Sequence, residues 1–266
     1  MATIEQTLRT AKQQLIDAGL TDSPQIDAEL LLANILKKER TYLFTWSDQN
    51  LEPEQIKSFE EKLTERLSGK PIAHIIGYRE FWGLPLKVTA DTVIPRPDTE
   101  TLIEAVLNLD LNSEATILDM GTGSGAIPLA LKSELPKAHI TALDKSLPAL
   151  EVAKENAKKL NLDITFIHSD WFSAVEDKTF DCIVSNPPYI ETEDPHLQQG
   201  DVRFEPMTAL ASGEDGLDDI RLIIEQSCKH LNNGGWLVLE HGYNQADAIN
   251  ALFKQNAFQN IELIHD

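Results

Sequence analysis

From Ala115 the chain reads Ala-Thr-Ile-Leu-Asp, an apolar run of strand length. It passes directly into Met120-Gly121-Thr122-Gly123-Ser124-Gly125 before a helical pattern begins near Ala126. A buried strand that turns into a helix on alternating glycines constrains the fold strongly, because the next parallel strand can be reached only by a crossover over one face of the sheet. The rest of the chain follows that rule. A helix is predicted from Thr99 to about Leu109, and strands at 115–119, 138–143, 164–167, 180–185 and 235–240 have helical stretches between most of them. A further strand is predicted near 259–264. This alternation means a parallel sheet covered on both faces.

The first 70 residues have a different period. Thr3 with Gln6 forms a capping box ahead of Ile4, Leu8, Ala11 and Leu15, and Gly19 ends that run. Pro24 opens a second apolar stripe through Ile26, Leu30, Leu31 and Ile35 that ends near Lys38. A third runs from Pro53 through Ile56, Phe59, Leu63 and Leu67 to Gly69. Between Lys70 and Pro97 short extended pieces are expected, Ala73 to Gly77 and Leu84 to Val88, forming a hairpin-like linker punctuated by Gly and Pro. The expected domains are therefore a helical one over 1–70, a linker hairpin over 71–97, and an α/β domain over 98–266.

Composition excludes several classes. The formal charge of −20 disfavours a protein that grips phosphates, although a local basic patch remains compatible with it. Only Cys182 and Cys228 are present, both expected to be buried packing residues, and no zinc-type spacing occurs, so neither a disulfide framework nor a metal site is expected. The charged N-terminus resembles neither a signal peptide nor a spanning helix, and no long apolar run follows, which points to the cytoplasm.

The chemistry concentrates after the strands. Glycines at 121, 123 and 125 let the backbone bend sharply and let a ligand approach closely at the positive end of a helix. Asp144, at the end of the next strand and about twenty residues on, is placed to accept hydrogen bonds from ribose hydroxyls. Together they indicate a nucleoside ligand without choosing between a dinucleotide and another adenosine compound. Asp170-Trp171 reads equally as an acceptor and aromatic face for adenine, or as a helix cap followed by a packed ring. The tetrad Asn186-Pro187-Pro188-Tyr189 decides between ligands. A planar NH2 group is a poor nucleophile because its lone pair is delocalised, and the Asn186 side-chain oxygen with the Pro187 carbonyl can accept from both of its hydrogens. Tyr189 offers a stacking face, and two prolines stiffen the turn.

These residues resemble the release factor glutamine methyltransferases, the HemK or PrmC family. The likeness spans nearly the whole chain through Gly77-Tyr-Arg-Glu-Phe-Trp82, Ile94-Pro-Arg-Pro-Asp-Thr-Glu100, Leu118-Asp-Met-Gly-Thr-Gly-Ser-Gly125, Asp170-Trp-Phe172, Ser185-Asn-Pro-Pro-Tyr-Ile190 and Asp201-Val-Arg-Phe-Glu-Pro206. The resemblance implies a Rossmann-like class I fold dependent on S-adenosyl-L-methionine, with a helical N-terminal domain that recognises the substrate and a linker hairpin. It further implies methylation of the Gly-Gly-Gln glutamine of release factors, with S-adenosyl-L-homocysteine as product, in translation termination. It points to Gly121, Thr122, Gly123, Ser124, Gly125, Asp144, Trp171 and Asn186 at the methyl donor, and to Asn186, Pro187, Pro188 and Tyr189 at the glutamine. Arg96, between two prolines, reads as a substrate contact or as part of a stiff helix start. The family's last strand, with residues resembling Asn-Glu-Arg-Val, has no counterpart before Asp266.

Transfer is expected to be direct, with catalysis resting on Asn186 and Pro187 and no covalent enzyme intermediate. The runner-up is an adenine or cytosine amino-methyltransferase acting on nucleic acid, which the net charge opposes. A dinucleotide-dependent oxidoreductase and a non-catalytic binding module are weaker alternatives.

Overall fold

The computed structural model describes residues 2–265. Its first unit ends at Gly77 and its second begins at Tyr78. In the first, Thr3 and Gln6 exchange backbone-to-side-chain bonds of 3.2 Å each and start α1 (Ile4–Asp17), which buries Ile4, Leu8, Ala11 and Leu15. The helices α2 (Pro24–Leu36), α3 (Arg40–Thr45), α4 (Pro53–Leu67) and α5 (Ile72–Ile76) complete a core around Leu31, Leu32, Leu43 and Phe59. Arg66 donates to Asp27 at 2.7 Å within that core. Ala73 to Gly77 is helical rather than extended. A short apolar run before a glycine fits either period, and here burial of Ile75 against the other helices decides for a helical turn, which Gly77 ends at φ 84°.

The second unit opens with a hairpin of β1 (Tyr78–Phe81) and β2 (Leu84–Lys87), so the hairpin's first strand follows Gly77 instead of preceding it. Its two-residue turn needs positive φ at both positions, which Trp82 (53°) and Gly83 (68°) adopt. Phe81 and Leu86 pack into the core of this unit with α6 (Thr99–Leu107).

The main sheet contains β3 (Thr116–Met120), β4 (His139–Asp144), β5 (Thr165–His168), β6 (Phe180–Ser185) and β7 (Leu231–Leu239). The strands are all parallel, in the order β5-β4-β3-β6-β7. Between them run α7 (Ala126–Glu134), α8 (Leu147–Leu160) and α9 (Asp218–His230). Alternate residues serve opposite faces: Ile117, Ile140 and Val184 join one apolar cluster, and Leu118, Leu143 and Ile183 the other. The doubly covered parallel sheet expected from the sequence is present. Its order reverses at β3, so the carboxyl ends of β3, β4 and β6 lie side by side, with Met120 level with both Leu143 and Ser185.

Three details differ from expectation. The last strand begins at Leu231 rather than 235, with an irregularity opposite Phe180 to Cys182. After α10 (Ala246–Gln255) no strand forms at 259–264; an extended segment becomes a strand only when a neighbour supplies its ladder, and Leu263 and Ile264 stay half exposed. Cys182 is buried, its thiol pushed up to about 12 by desolvation, whereas Cys228 is exposed because it lies off the buried stripe of α9. Among the described residues no helix is long and apolar enough to cross a membrane.

Candidate active site

At the carboxyl ends of these strands the second unit contains a cavity of about 710 Å³, within the size range of sites for small molecules. Gly121, Thr122, Gly123 and Ser124 line it, as do Asp144, Asp170, Trp171, Asn186, Pro187, Pro188, Tyr189 and Arg96. Gly125 alone of the expected site residues does not. It begins α7 at φ 85°, where a Cβ would lie 3.1 Å from Ala153 and Leu129, so its part is close packing of helix on sheet.

The glycine turn is held from below. The Leu143 carbonyl accepts from the Gly121 and Thr122 amides at 2.9 Å each, and Asp144 Oδ2 accepts from the Gly123 amide at 2.8 Å. Most of the turn's donors are thus used within the protein, and the glycines serve close approach more than amide donation. Asn156, buried on α8, donates to the Ser124 carbonyl at 2.9 Å and exchanges bonds with the Lys87 backbone, tying the hairpin to the turn. Asp144 Oδ1 also accepts from Ser146 at 2.8 Å; burial raises its pKa, and these backbone bonds partly offset the rise.

Trp171 stands over Gly121, where a Cβ would come within 3.9 Å of its ring, and its indole N–H donates to Asp219 at 3.1 Å. Asp170 caps the short helical turn Trp171–Ala174 and pairs with Lys145 at 2.9 Å, so it has a structural role as well as a place on the cavity wall. Arg96, also on the cavity lining, donates to Glu205 at 2.8 Å. The Glu205 carboxyl rises to about 6 through burial, less the opposing effect of Arg96. Beside them, Asn186 Nδ2 donates to Thr99 at 3.1 Å and the Tyr189 hydroxyl donates to Glu240 at 3.2 Å. Gln245 holds the Tyr189 carbonyl at 2.9 Å.

Sequence reasoning did not single out Thr99, Glu205, Gln245 or Glu240. It also passed over Asp119, which lies immediately before the glycine turn. That carboxyl is fully buried, and neither oxygen meets a protein donor in bonding geometry. Burial pushes it up to about 7, with Thr122 lowering it and the charge of Asp144 adding to the rise. A carboxylate so placed suits a ligand that carries positive charge above the turn.

Comparison with known proteins adds to this geometry. The chain is 49% identical to the release factor glutamine methyltransferase of Vibrio cholerae, over 97% of this chain and 91% of the relative. The corresponding figures for that of Escherichia coli K12 are 46%, 97% and 93%. The chain belongs to the release factor glutamine methyltransferase family. The models of the PrmC N-terminal domain and the methyltransferase small domain match residues 6–77 and 97–202. The enzyme is therefore a methyltransferase dependent on S-adenosylmethionine, and the buried, unpartnered Asp119 and the cavity beside Asp144 fit such a donor. The fold is shared with a Pyrococcus furiosus methyltransferase (TM-score 0.50, 19% identity, 74% of this chain and 87% of that one). It is also shared with the hMettl16 catalytic domain in complex with MAT2A 3'UTR hairpin 1 (0.52, 19%, 74% and 71%).

Asp119 leads to a stability prediction. Its folded pKa of about 7 exceeds its ordinary value of 3.8, so the folded state holds the proton more tightly. The resulting stabilisation is complete below the ordinary value and lost as pH rises through 7. In Asp119→Asn the ligand-free enzyme should lose less melting temperature between pH 5 and pH 8 than the parent does. Parallel melting curves for the two proteins across that range would contradict it.

Proposed function

We propose that this enzyme transfers a methyl group from S-adenosyl-L-methionine to the side-chain amide nitrogen of the glutamine in the Gly-Gly-Gln motif of peptide chain release factors, in the cytoplasm. One observation carries most weight. The glycine turn, Asp144 and the Asn186 to Tyr189 tetrad line a single cavity in a chain nearly half identical to enzymes named for this reaction.

When bound, the donor supplies an electrophilic methyl on a positively charged sulfur. The protein's part is to hold and orient. Asp144 has lone pairs beyond those used by Gly123 and Ser146 for ribose hydroxyls. Trp171 offers a wall to the adenosine side, and Asp119, buried beneath the turn rather than on the cavity wall, balances the positive charge when ionised. The Asn186 Oδ1 and the Pro187 carbonyl accept from the two amide hydrogens of the glutamine, turning its nitrogen toward the glycine turn, with Pro188 stiffening the loop and Tyr189 beside the amide plane. Arg96, tied to Glu205, stiffens the wall where the loop carrying the glutamine enters. A net charge of −20 speaks against nucleic acid as the partner and against the amino-methyltransferase alternative.

The test is incubation of the purified enzyme with a release factor, DNA or RNA and labelled donor, followed by peptide mapping. One methyl on the Gly-Gly-Gln glutamine is the expected product. Label on nucleic acid alone would overturn the reading.

The helical unit before Gly77 carries its own core but none of the cavity residues, which supports a role in gripping the release factor away from the glutamine. Deleting residues 1–77 should lower kcat/KM on the intact factor on the order of ten-fold by removing a second contact, and change little on a short Gly-Gly-Gln peptide. Equal losses on both substrates in a folded variant would refute the grip.

A further inference from the structure

Asn186 is asked to present an oxygen, yet its side-chain amide has two orientations of nearly identical shape, and the reversed one would present an NH2 to a substrate group that is itself only a donor. Something must select between them. Asn186 directly follows β6, Thr99 is the first residue of α6, and Glu240 directly follows β7. The Glu240 amide donates to the Ser185 carbonyl at 3.0 Å, which sets Glu240 next to Asn186 across the sheet. All three residues line the cavity.

We propose that Thr99 and Glu240 are positioning residues that fix the Asn186 amide with its NH2 drawn into the wall and its oxygen facing the substrate, an inference that rests on the function proposed above. Asn186 Nδ2 donates to Thr99 Oγ1 at 3.1 Å, and Thr99 is buried. A threonine hydroxyl has one hydrogen and can serve either partner. Glu240 is placed to take that hydrogen, because an ionised carboxylate only accepts and one of its oxygens is buried without a hydrogen-bond partner. Its Oε1 receives the Tyr189 hydroxyl at 3.2 Å, while Oε2 is buried without a partner in full bonding geometry. Burial raises the Glu240 pKa, against the opposing pull of Thr99, Tyr189 and Asn186. With the Thr99 hydrogen committed to Glu240, only a lone pair remains for Asn186, and that accepts the NH2. Reversal of the amide would set two acceptor oxygens against each other. The buried charge at the end of β7 thus gives direction to a chain of otherwise ambiguous groups.

Thr99→Val, Thr99→Ser and Glu240→Gln, each made in the full-length enzyme with and without Asn186→Ala, test this. Readouts are kcat and KM for the release factor, affinity for S-adenosylhomocysteine by calorimetry, and folding by circular dichroism. Thr99→Val keeps the shape and removes the hydroxyl, so it should lower kcat roughly ten- to hundred-fold, as loss of substrate alignment does. Glu240→Gln should do the same, and Thr99→Ser should restore most of the rate. Product affinity should change less than about three-fold, the donor side being held by other residues. In the Asn186→Ala background none of the three should cost further rate, since residues acting through one group are not additive. Near-native kcat in Thr99→Val, undiminished losses in the Asn186→Ala background, or losses confined to product affinity would each overturn the proposal. If Glu240→Gln does not fold, the Thr99 pair decides alone. Asn186→Ala with native activity would instead overturn the proposed role of Asn186 itself, and so separates the two failures.

Discussion

Replacing Asn186 by Ala is expected to lower methyl transfer to the release factor glutamine by about 10²–10³-fold, the loss seen when one oriented acceptor or donor is removed from a preorganised site. The glutamine nitrogen has its lone pair spread into the amide, and it can be presented only if both hydrogens are held out of the way. The Pro187 carbonyl would still hold one. The other would be unpaired, and the nitrogen would be free to turn, which adds an alignment loss to the electrostatic one. Affinity for S-adenosylhomocysteine should change far less, because the glycine turn, Asp144 and Trp171 lie on other strand ends. The measurement is single-turnover transfer at saturating donor, beside calorimetry of product binding on the same preparation. A folded variant with transfer within a few-fold of native would remove Asn186 from the chemistry, whatever the family.

The order glycine turn, acidic strand end, Asn-Pro-Pro-Tyr could be read from the sequence because a parallel sheet with short crossovers leaves little freedom. Once β3, β4 and β6 are recognised as strands of one such sheet, their carboxyl ends come together at the point where the strand order reverses. What could not be read is what only packing decides. Ala73 to Gly77 has the same apolar letters as a strand, and only burial of Ile75 among the first unit's helices makes it a helical turn. Asp119 looks like one more polar residue before a glycine until the sheet closes over it and no donor arrives. Thr99, Asn186 and Glu240 are separated by 87 and more than fifty residues, with no motif linking them, and the Asn186–Thr99 bond and the Glu240–Ser185 backbone bond beside it exist only because α6, β6 and β7 converge. Glu240 did leave one readable trace, an acidic residue at the end of an apolar strand, the same signal that singled out Asp144.

Asp144 is the second residue whose loss should be large. Asp144→Ala is expected to weaken donor and product binding by about 1–3 kcal/mol, roughly one to two decades in Kd, and two causes contribute. One is the loss of acceptors for the ribose hydroxyls. The other is internal: Oδ2 takes the Gly123 amide and Oδ1 the Ser146 amide, both at 2.8 Å, so the variant also frees the turn on which the ligand lies. Asp144→Asn separates them. A carboxamide keeps one acceptor oxygen and so retains one of the two backbone bonds, and it should fall between the parent and the Ala variant in affinity while melting closer to the parent. Burial raises the pKa of Asp144, so acidification should erode product binding at a higher pH than for a solvent-exposed carboxylate. The charge is needed in its accepting form, which is lost as pH falls through that raised value. The Asn variant, having no proton to gain there, should show a flatter profile. Calorimetry with S-adenosylhomocysteine across the acid range, on all three proteins, checks both statements. Unchanged affinity in Asp144→Ala would reduce the residue to a brace for the turn, with the ribose held elsewhere along the cavity.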